Sequence, residues 1–281
     1  MKKVMVLGAG TMGSGIAQVV ARAGYEVLLK DVETSYVEKG LATINMNLGR
    51  LVSKGKISQQ EKADVEKRIK GCVNLEEGKD VDLVIEAVIE NLELKKKVFQ
   101  ELDVVIQPNA VLASNTSSLS ITALAAVTKR PHKVLGMHFF NPVPVMQLVE
   151  LIKGANTAEE TFNEALEFVK KVGKTPVKVE EAPGFAVNRI LVPMINEAVY
   201  LLSEGVATAE DIDTAMKLGA NHPIGPLALA DMIGLDVCLA VMEVLYNEFS
   251  DSKYRPCPLL RKMVRAGHLG HKTGKGFYQY S

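Results

Sequence analysis

This sequence predicts an α/β fold built on a mostly parallel sheet, followed by an all-helical segment. Three observations carry that expectation. Short apolar runs alternate with helical periodicities as far as about residue 180. A glycine-punctuated turn joins the first apolar run to the first helical stretch. Beyond Pro183-Gly184 almost no strand pattern remains, while apolar residues keep recurring at helical spacing.

Taken in order, residues 4–7 (Val-Met-Val-Leu) form a strand that stops at Gly8-Ala9-Gly10-Thr11-Met12-Gly13. A helix over 14–23 follows, Gly24 ends it, and a second strand over 25–30 closes on Asp31. Each glycine has a mechanical reason to be there. Gly8 permits the tight turn out of the strand, Gly10 leaves room for a pyrophosphate against the backbone, and Gly13 lets the helix pack on the sheet. The helix start offers N–H groups and a partial positive charge to phosphates. Asp31 stands about 20 residues past the glycines, where a carboxylate can grip a ribose 2′-OH. The whole 30-residue unit, rather than the glycines alone, marks a Rossmann-type dinucleotide site, and the acid favours NAD over NADP because it would repel a 2′-phosphate.

Two helices are expected next, over 33–53 and 58–70, with Ser58 capping the second. This helical hairpin is long for a crossover between neighbouring strands, and it carries Arg50, Lys54 and Lys56. Those charges read either as a solvated basic surface or as a hairpin that meets an acidic ligand. Strands are expected over 81–88, 110–114, 134–139, 145–152 and 177–180, with a lysine-rich amphipathic helix after Glu90-Asn91. The domain boundary is set at Pro183-Gly184, giving a Rossmann domain over 1–183 and a helical domain over 184–281. Helical spacing recurs over 188–202, 212–218, 227–245 and 259–264, and the glycine-rich tail over 270–278 is expected to tuck against the body.

The 281 residues include 33 Lys plus Arg and 33 Asp plus Glu, so the net charge of zero offers no footprint for nucleic acid or an anionic membrane. The apolar run behind the two N-terminal lysines is too short for a signal peptide, and no uncharged stretch reaches the roughly 18 residues of a membrane span. The 3 cysteines are far apart, which suits free thiols in a reducing cytoplasm rather than disulfides or a metal site.

In open α/β sheets ligands bind beyond the carboxyl ends of the strands. Asn115, Ser117 and His138 fall at or just past such ends. His138 sits between Met137 and Phe139, and Glu150 follows twelve residues later across an Asn-Pro-Val-Pro turn, so two strands can run side by side. A carboxylate on one ring nitrogen fixes the tautomer and stabilises the imidazolium, leaving the other nitrogen to move a proton. A core histidine and a surface glutamate are the bland alternatives. Ser117 reads on spacing as a helix cap, and Asn188 as a cap or turn residue after Pro183-Gly184; either could instead meet a reacting oxygen. His132, His222, His268 and His271 lie in Pro- or Gly-rich loops and attract no chemical role.

The chain resembles the short-chain 3-hydroxyacyl-CoA dehydrogenases, with the bacterial 3-hydroxybutyryl-CoA dehydrogenases as the nearest group. The likeness covers essentially the full length. It rests on GAGTMGSGIAQ (8–18), EAVIENLELKKKVF (86–99), SNTSSLSIT (114–122) and GMHFFNPVPVMQLVELI (136–152), and continues in APGFAVNRILVPMINEA (182–198), EGVATAEDIDTAMKLG (204–219) and HPIGPLALADMIGLD (222–236). The resemblance implies that His138 is a general base oriented by Glu150, that Ser117 bonds the histidine and the substrate oxygen, and that Asn188 polarises that oxygen. It implies that Asp31 holds the adenosine ribose, that Glu90, Lys95 and Asn115 lie near NAD, and that Lys54 and Arg50 lie near the phosphates of an acyl-CoA. A cytoplasmic homodimer, paired through the helical domain that also borders the substrate cleft, is implied as well. Two other readings compete: a β-hydroxyacid dehydrogenase that relies on a catalytic lysine, and a non-catalytic NAD-binding protein.

Overall fold

The computed structural model describes residues 1–280. By its internal contacts the chain divides into two compact units, Met1–Glu181 and Ala182–Ser281.

The first unit is an 8-stranded sheet in the order β3-β2-β1-β4-β5-β6-β7-β8. Its strands are β1 (Lys3–Leu7), β2 (Glu26–Lys30), β3 (Ile69–Cys72), β4 (Leu83–Glu86), β5 (Val111–Ser114), β6 (Val134–Phe139), β7 (Leu148–Lys153) and β8 (Thr175–Glu180). Every pairing is parallel except β6 with β7. The expected α/β class with a mostly parallel sheet is therefore what the chain adopts. From β1 the chain winds outward through β2 and β3, then returns to the other side of β1 as β4. That reversal is the switch point where open sheets leave a crevice beyond their carboxyl ends.

Helices α1 (Thr11–Arg22), α2 (Thr34–Ser53), α3 (Gln59–Lys67), α4 (Leu92–Val105), α5 (Ile121–Ala125) and α6 (Glu159–Lys171) cover the sheet. Side chains alternate along a strand. Val4 and Val6 thus join one core with Ile16 and Val20 of α1, Ile44 and Leu48 of α2, and Phe162 and Phe168 of α6. Burying one such side chain stabilises the fold by about 1.5–3 kcal/mol.

The hairpin α2–α3 forms as expected, and Ser58 caps α3 in a reciprocal capping box with Glu61. Its second helix stops at Lys67 rather than running to residue 70, because 69–72 pair with β2 as β3. Gly71 makes that pairing possible: a Cβ there would lie 2.4 Å from Val37 Cγ1 of α2.

The second unit holds α7 (Val187–Ser203), α8 (Ala209–Gly219), α9 (Pro226–Ile233), α10 (Leu235–Phe249) and α11 (Pro258–Arg265). The periodicity over 227–245 is not one helix. It breaks at Gly234, whose φ of 105° lies outside any helix and redirects the chain between α9 and α10. Ile195, Val199, Leu227, Leu235, Met242 and Leu260 are among the residues of its core. Among the described residues no helix is long and apolar enough to cross a membrane.

Candidate active site

The glycine turn follows β1 directly. Gly8 has φ +100°, and a Cβ on it would lie 2.5 Å from Ala87 O in the turn after β4. A Cβ on Gly13 would lie 1.7 Å from Gly8 O, so only hydrogen there lets α1 sit this close to the strand end. Around Gly10 the opposite holds: an added Cβ meets nothing within 4 Å, and the backbone stays open to a ligand. Gly10 is the extended N-cap of α1, which starts at Thr11, three residues earlier than the pattern suggested, so Thr11, Met12 and Gly13 form the first helical turn. The N–H groups of a first turn have no intrahelical acceptor, and they carry the positive end of the helix dipole.

Asp31 lies just past β2, beside this turn. Its Oδ2 accepts the Ala9 N–H at 2.7 Å and its Oδ1 accepts the Val32 N–H at 2.7 Å. The carboxylate is thus locked to the glycine loop. An open Gly10 backbone, a helix N-terminus and an anchored acid together fit a dinucleotide.

His138 and Glu150 are direct partners across the antiparallel β6–β7 pair. Their side chains meet at 2.8 Å, His138 Nδ1 to Glu150 Oε2. Glu150 is fully buried, His138 is buried, and the Phe140 ring centroid lies 4.4 Å from that of the imidazole. The expected pair is brought together because one residue of register places both side chains on the same face.

The segments after β4 and β5 supply the next cluster. Glu90 Oε1 accepts the Thr116 hydroxyl at 2.6 Å, the Ser117 N–H at 2.8 Å and the Ser117 hydroxyl at 3.1 Å. Lys95, on α4, lies 3.4 Å from Glu90 Oε2 and donates to Glu86 Oε1 at 2.6 Å; its side chain is only 1% exposed. Asn115 Oδ1 accepts the Phe139 N–H at 2.8 Å, which ties the end of β5 to the end of β6. The cap of α5 is Ser120, not Ser117, because Ser120 is the residue whose hydroxyl reaches the N3 N–H, that of Ala123.

Sequence reasoning missed Glu86, Ser114 and Thr116, all fully buried among these groups. One trace was available: Glu86 is a lone acid inside the apolar run Leu-Val-Ile-Glu of β4. Arg50, in the last turn of α2, and Lys54, its C-cap, are exposed on the hairpin. Asn188 stands, half-buried, in the first turn of α7 in the second unit. Among the described residues no cluster of three or more His, Cys, Asp or Glu is placed to hold a metal ion.

Comparison with known proteins matches two family models in succession. Residues 3–182 match the NAD-binding domain of 3-hydroxyacyl-CoA dehydrogenase, and residues 184–280 match its C-terminal domain. The chain is 55% identical over 279 residues to a 3-hydroxybutyryl-CoA dehydrogenase of Clostridioides difficile, covering 99% of each. It is 56% identical over 279 residues to one of Bradyrhizobium diazoefficiens, covering 99% of this chain and 95% of that one. The solved (S)-3-hydroxybutyryl-CoA dehydrogenase of Ralstonia eutropha superposes with a TM-score of 0.97 at 55% identity, over 100% of this chain and 99% of that one.

Proposed function

This chain belongs to the 3-hydroxyacyl-CoA dehydrogenase family, and from that premise we propose that it interconverts (S)-3-hydroxybutyryl-CoA and acetoacetyl-CoA with NAD(H). The observation that carries the reading is the 2.8 Å contact between His138 and Glu150 at the carboxyl end of the sheet. An imidazole held on Nδ1 by a buried carboxylate keeps the tautomer that moves a proton at Nε2.

NAD, when bound at this turn, would supply the hydride-transfer chemistry in either direction. The chain supplies the rest. His138 takes the C3 hydroxyl proton as the alcohol is oxidised and gives it back to the alkoxide on reduction. Glu150 orients the ring and stabilises its charged form. Ser117 hydrogen-bonds the histidine and the C3 oxygen, and Asn188 polarises that oxygen. Asp31 takes the adenosine ribose, the N–H groups around Gly10 take the pyrophosphate, and Glu90, Lys95 and Asn115 border the dinucleotide. Arg50 and Lys54 pair with the coenzyme A phosphates.

In this reading residues 1–183 form the dinucleotide-binding domain, and residues 184–281 contribute to substrate binding and pair two copies into a cytoplasmic homodimer. Exposed apolar side chains on three helices of the second unit, Ile190, Leu218 and Met232, support such a face. Neither nucleic acid nor a membrane enters the reading, and the net charge of zero supports that.

The test is NADH oxidation by the purified protein with acetoacetyl-CoA and longer 3-oxoacyl-CoAs, run beside NADPH and beside free acetoacetate. Turnover with the four-carbon thioester and NADH, and far less with free acetoacetate, is the expected result. A preference for the free acid would point to a lysine-dependent β-hydroxyacid dehydrogenase, and no turnover with any thioester would leave only a dinucleotide-binding protein. Either outcome overturns the reading.

A further inference from the structure

We infer that Glu86 is a positioning residue of the active site: a buried carboxylate that, through Lys95 and Glu90, sets the place of the Ser117 hydroxyl. This rests on the reading above, in which Ser117 touches the substrate oxygen.

Glu86 ends β4 at the switch point of the sheet and has no solvent exposure. Its Oε1 accepts the Val88 N–H at 2.7 Å and the Lys95 ammonium at 2.6 Å, and its Oε2 accepts the Ser114 hydroxyl at 2.6 Å. Its backbone carbonyl accepts the Asn115 N–H at 2.7 Å. One residue therefore ties together the end of β4, the end of β5 and the first turn of α4. Lys95 passes the constraint on. Its Nζ also donates to Val88 O at 3.2 Å and lies 3.4 Å from Glu90 Oε2. Glu90, whose side chain is 38% exposed, uses its other oxygen to accept both the N–H and the hydroxyl of Ser117.

The order of charges matters. A negative, a positive and a negative group stand in line, and only the last reaches solvent. Burying ions is costly before pairing, and well-packed apolar residues of the same volume often stabilise a fold as well or better. Packing alone therefore does not call for this triad. It does fix direction: with Lys95 held from beneath by Glu86, Glu90 meets the ammonium with one oxygen and presents the other to Ser117. Without the lower carboxylate, Lys95 has only Glu90 as a counter-charge in this line, and Glu90 is drawn toward it and away from the serine.

Glu86→Gln keeps the shape and removes the charge. We expect kcat for acetoacetyl-CoA reduction, at saturating substrate and NADH, to fall about 10- to 100-fold, as misplacement near 1 Å does. The discriminating readout is a double-mutant cycle with Ser117→Ala. If Glu86 works through Ser117, the double variant turns over within about twofold of Ser117→Ala alone. Losses that multiply, or a folded Glu86→Gln within about threefold of the parent, would overturn the inference. Should Glu86→Gln not fold, Glu86→Gln/Lys95→Met removes the stranded ammonium with its partner. The same loss and the same non-additivity are expected of it, and recovery of kcat along with stability would show a merely structural role. Ser117→Ala at parental kcat would bring down the reading of Ser117 and this inference with it. A damaged Ser117→Ala beside an undamaged Glu86→Gln would overturn the inference alone.

Discussion

In the sheet unit the buried carboxylates Glu86 and Glu150 are bonded to side chains that carry or can gain charge, Lys95 and His138. In the helical unit the buried carboxylates Asp213 and Asp231 are bonded to backbone N–H groups and tyrosine hydroxyls. Asp213 accepts from Leu227 N at 2.8 Å, Ala228 N at 2.9 Å and the Tyr278 hydroxyl at 2.8 Å. It thereby caps α9 from a neighbouring helix. Asp231 accepts from Phe277 N, Tyr278 N and the Tyr280 hydroxyl, each at 2.9 Å, and holds the C-terminal tail against α9. Gly276 makes room for this: a Cβ there would lie 1.9 Å from Asp231 Oδ1. Both pairs of acids offset the cost of burial through hydrogen bonds. The difference is in the partner. A backbone N–H never changes charge and a phenol ordinarily does so only near pH 10, so near neutrality such an acid is a fixed lock; an imidazole can gain charge there, so in the proposed reading such an acid governs a proton. Burial of a carboxylate does not mark a site by itself. What it bonds to does.

The sharpest way to break this contrast is His138→Gln. It should cut turnover by about 10²- to 10⁴-fold, as loss of a general base does. NADH affinity, read by fluorescence titration, should stay within about threefold, because cofactor and base are bound by separate groups. Turnover within a small factor of the parent would remove the proton-moving half of the comparison. Glu150→Gln comes next. Its isosteric amide no longer stabilises the imidazolium, so kcat should fall about 100-fold and the pH profile of kcat/KM should move. An unmoved profile would separate Glu150 from the histidine's chemistry.

On the helical side the effects should appear in stability instead. Asp213→Ala removes a cap and leaves a tyrosine hydroxyl without its acceptor, a loss of about 2–4 kcal/mol. Calorimetry should show a melting point lower by several degrees, while kcat per folded molecule holds. A kcat that fell with the mutation would join Asp213 to the site and erase the contrast.

The smallest effect is on the alkaline limb. Burial, then the hydrogen bond to Asp213 and its charge, raise the Tyr278 phenol well above its ordinary value of 10.0; burial and Asp231 do the same to Tyr280. The folded state thus favours the neutral phenol more than the unfolded chain does. That stability is fully present below about pH 10 and is lost as pH climbs from there toward the raised value. Tyr278→Phe should flatten this limb of a stability-against-pH curve. A limb of unchanged slope would show that the phenol does not titrate in the way its surroundings require.

Much of the sheet unit was legible in the sequence because its determinants are local. The three glycines of the first turn sit within six residues, and each meets the obstacle or the opening that its place in a strand–turn–helix unit requires. His138 and Glu150 were legible as a pair because one turn joins their two strands and the alternation of side chains does the rest. Strand β3 was not. Its four residues, Ile-Lys-Gly-Cys, carry one strong strand former, and only β2 on one side and Val37 above Gly71 give them that conformation. The break at Gly234 was hidden for a related reason, since the apolar spacing runs on through it and only the backbone turns.

The sequence by itself determined the class of fold, the dinucleotide turn, most of the strands and helices of the sheet unit and the acid–imidazole pair, since each is written in periodicity or turn chemistry over a few residues. Tertiary structure alone decided that Glu86 would meet Ser114 across 28 residues, that Glu90 would meet Ser117 across 27, and that Asp213 would meet Tyr278 across 65. The physical reason is the same each time. A buried polar atom takes whichever partner the packed elements bring within hydrogen-bond reach, and that partner is fixed by strand order and helix placement rather than by its neighbours in the chain.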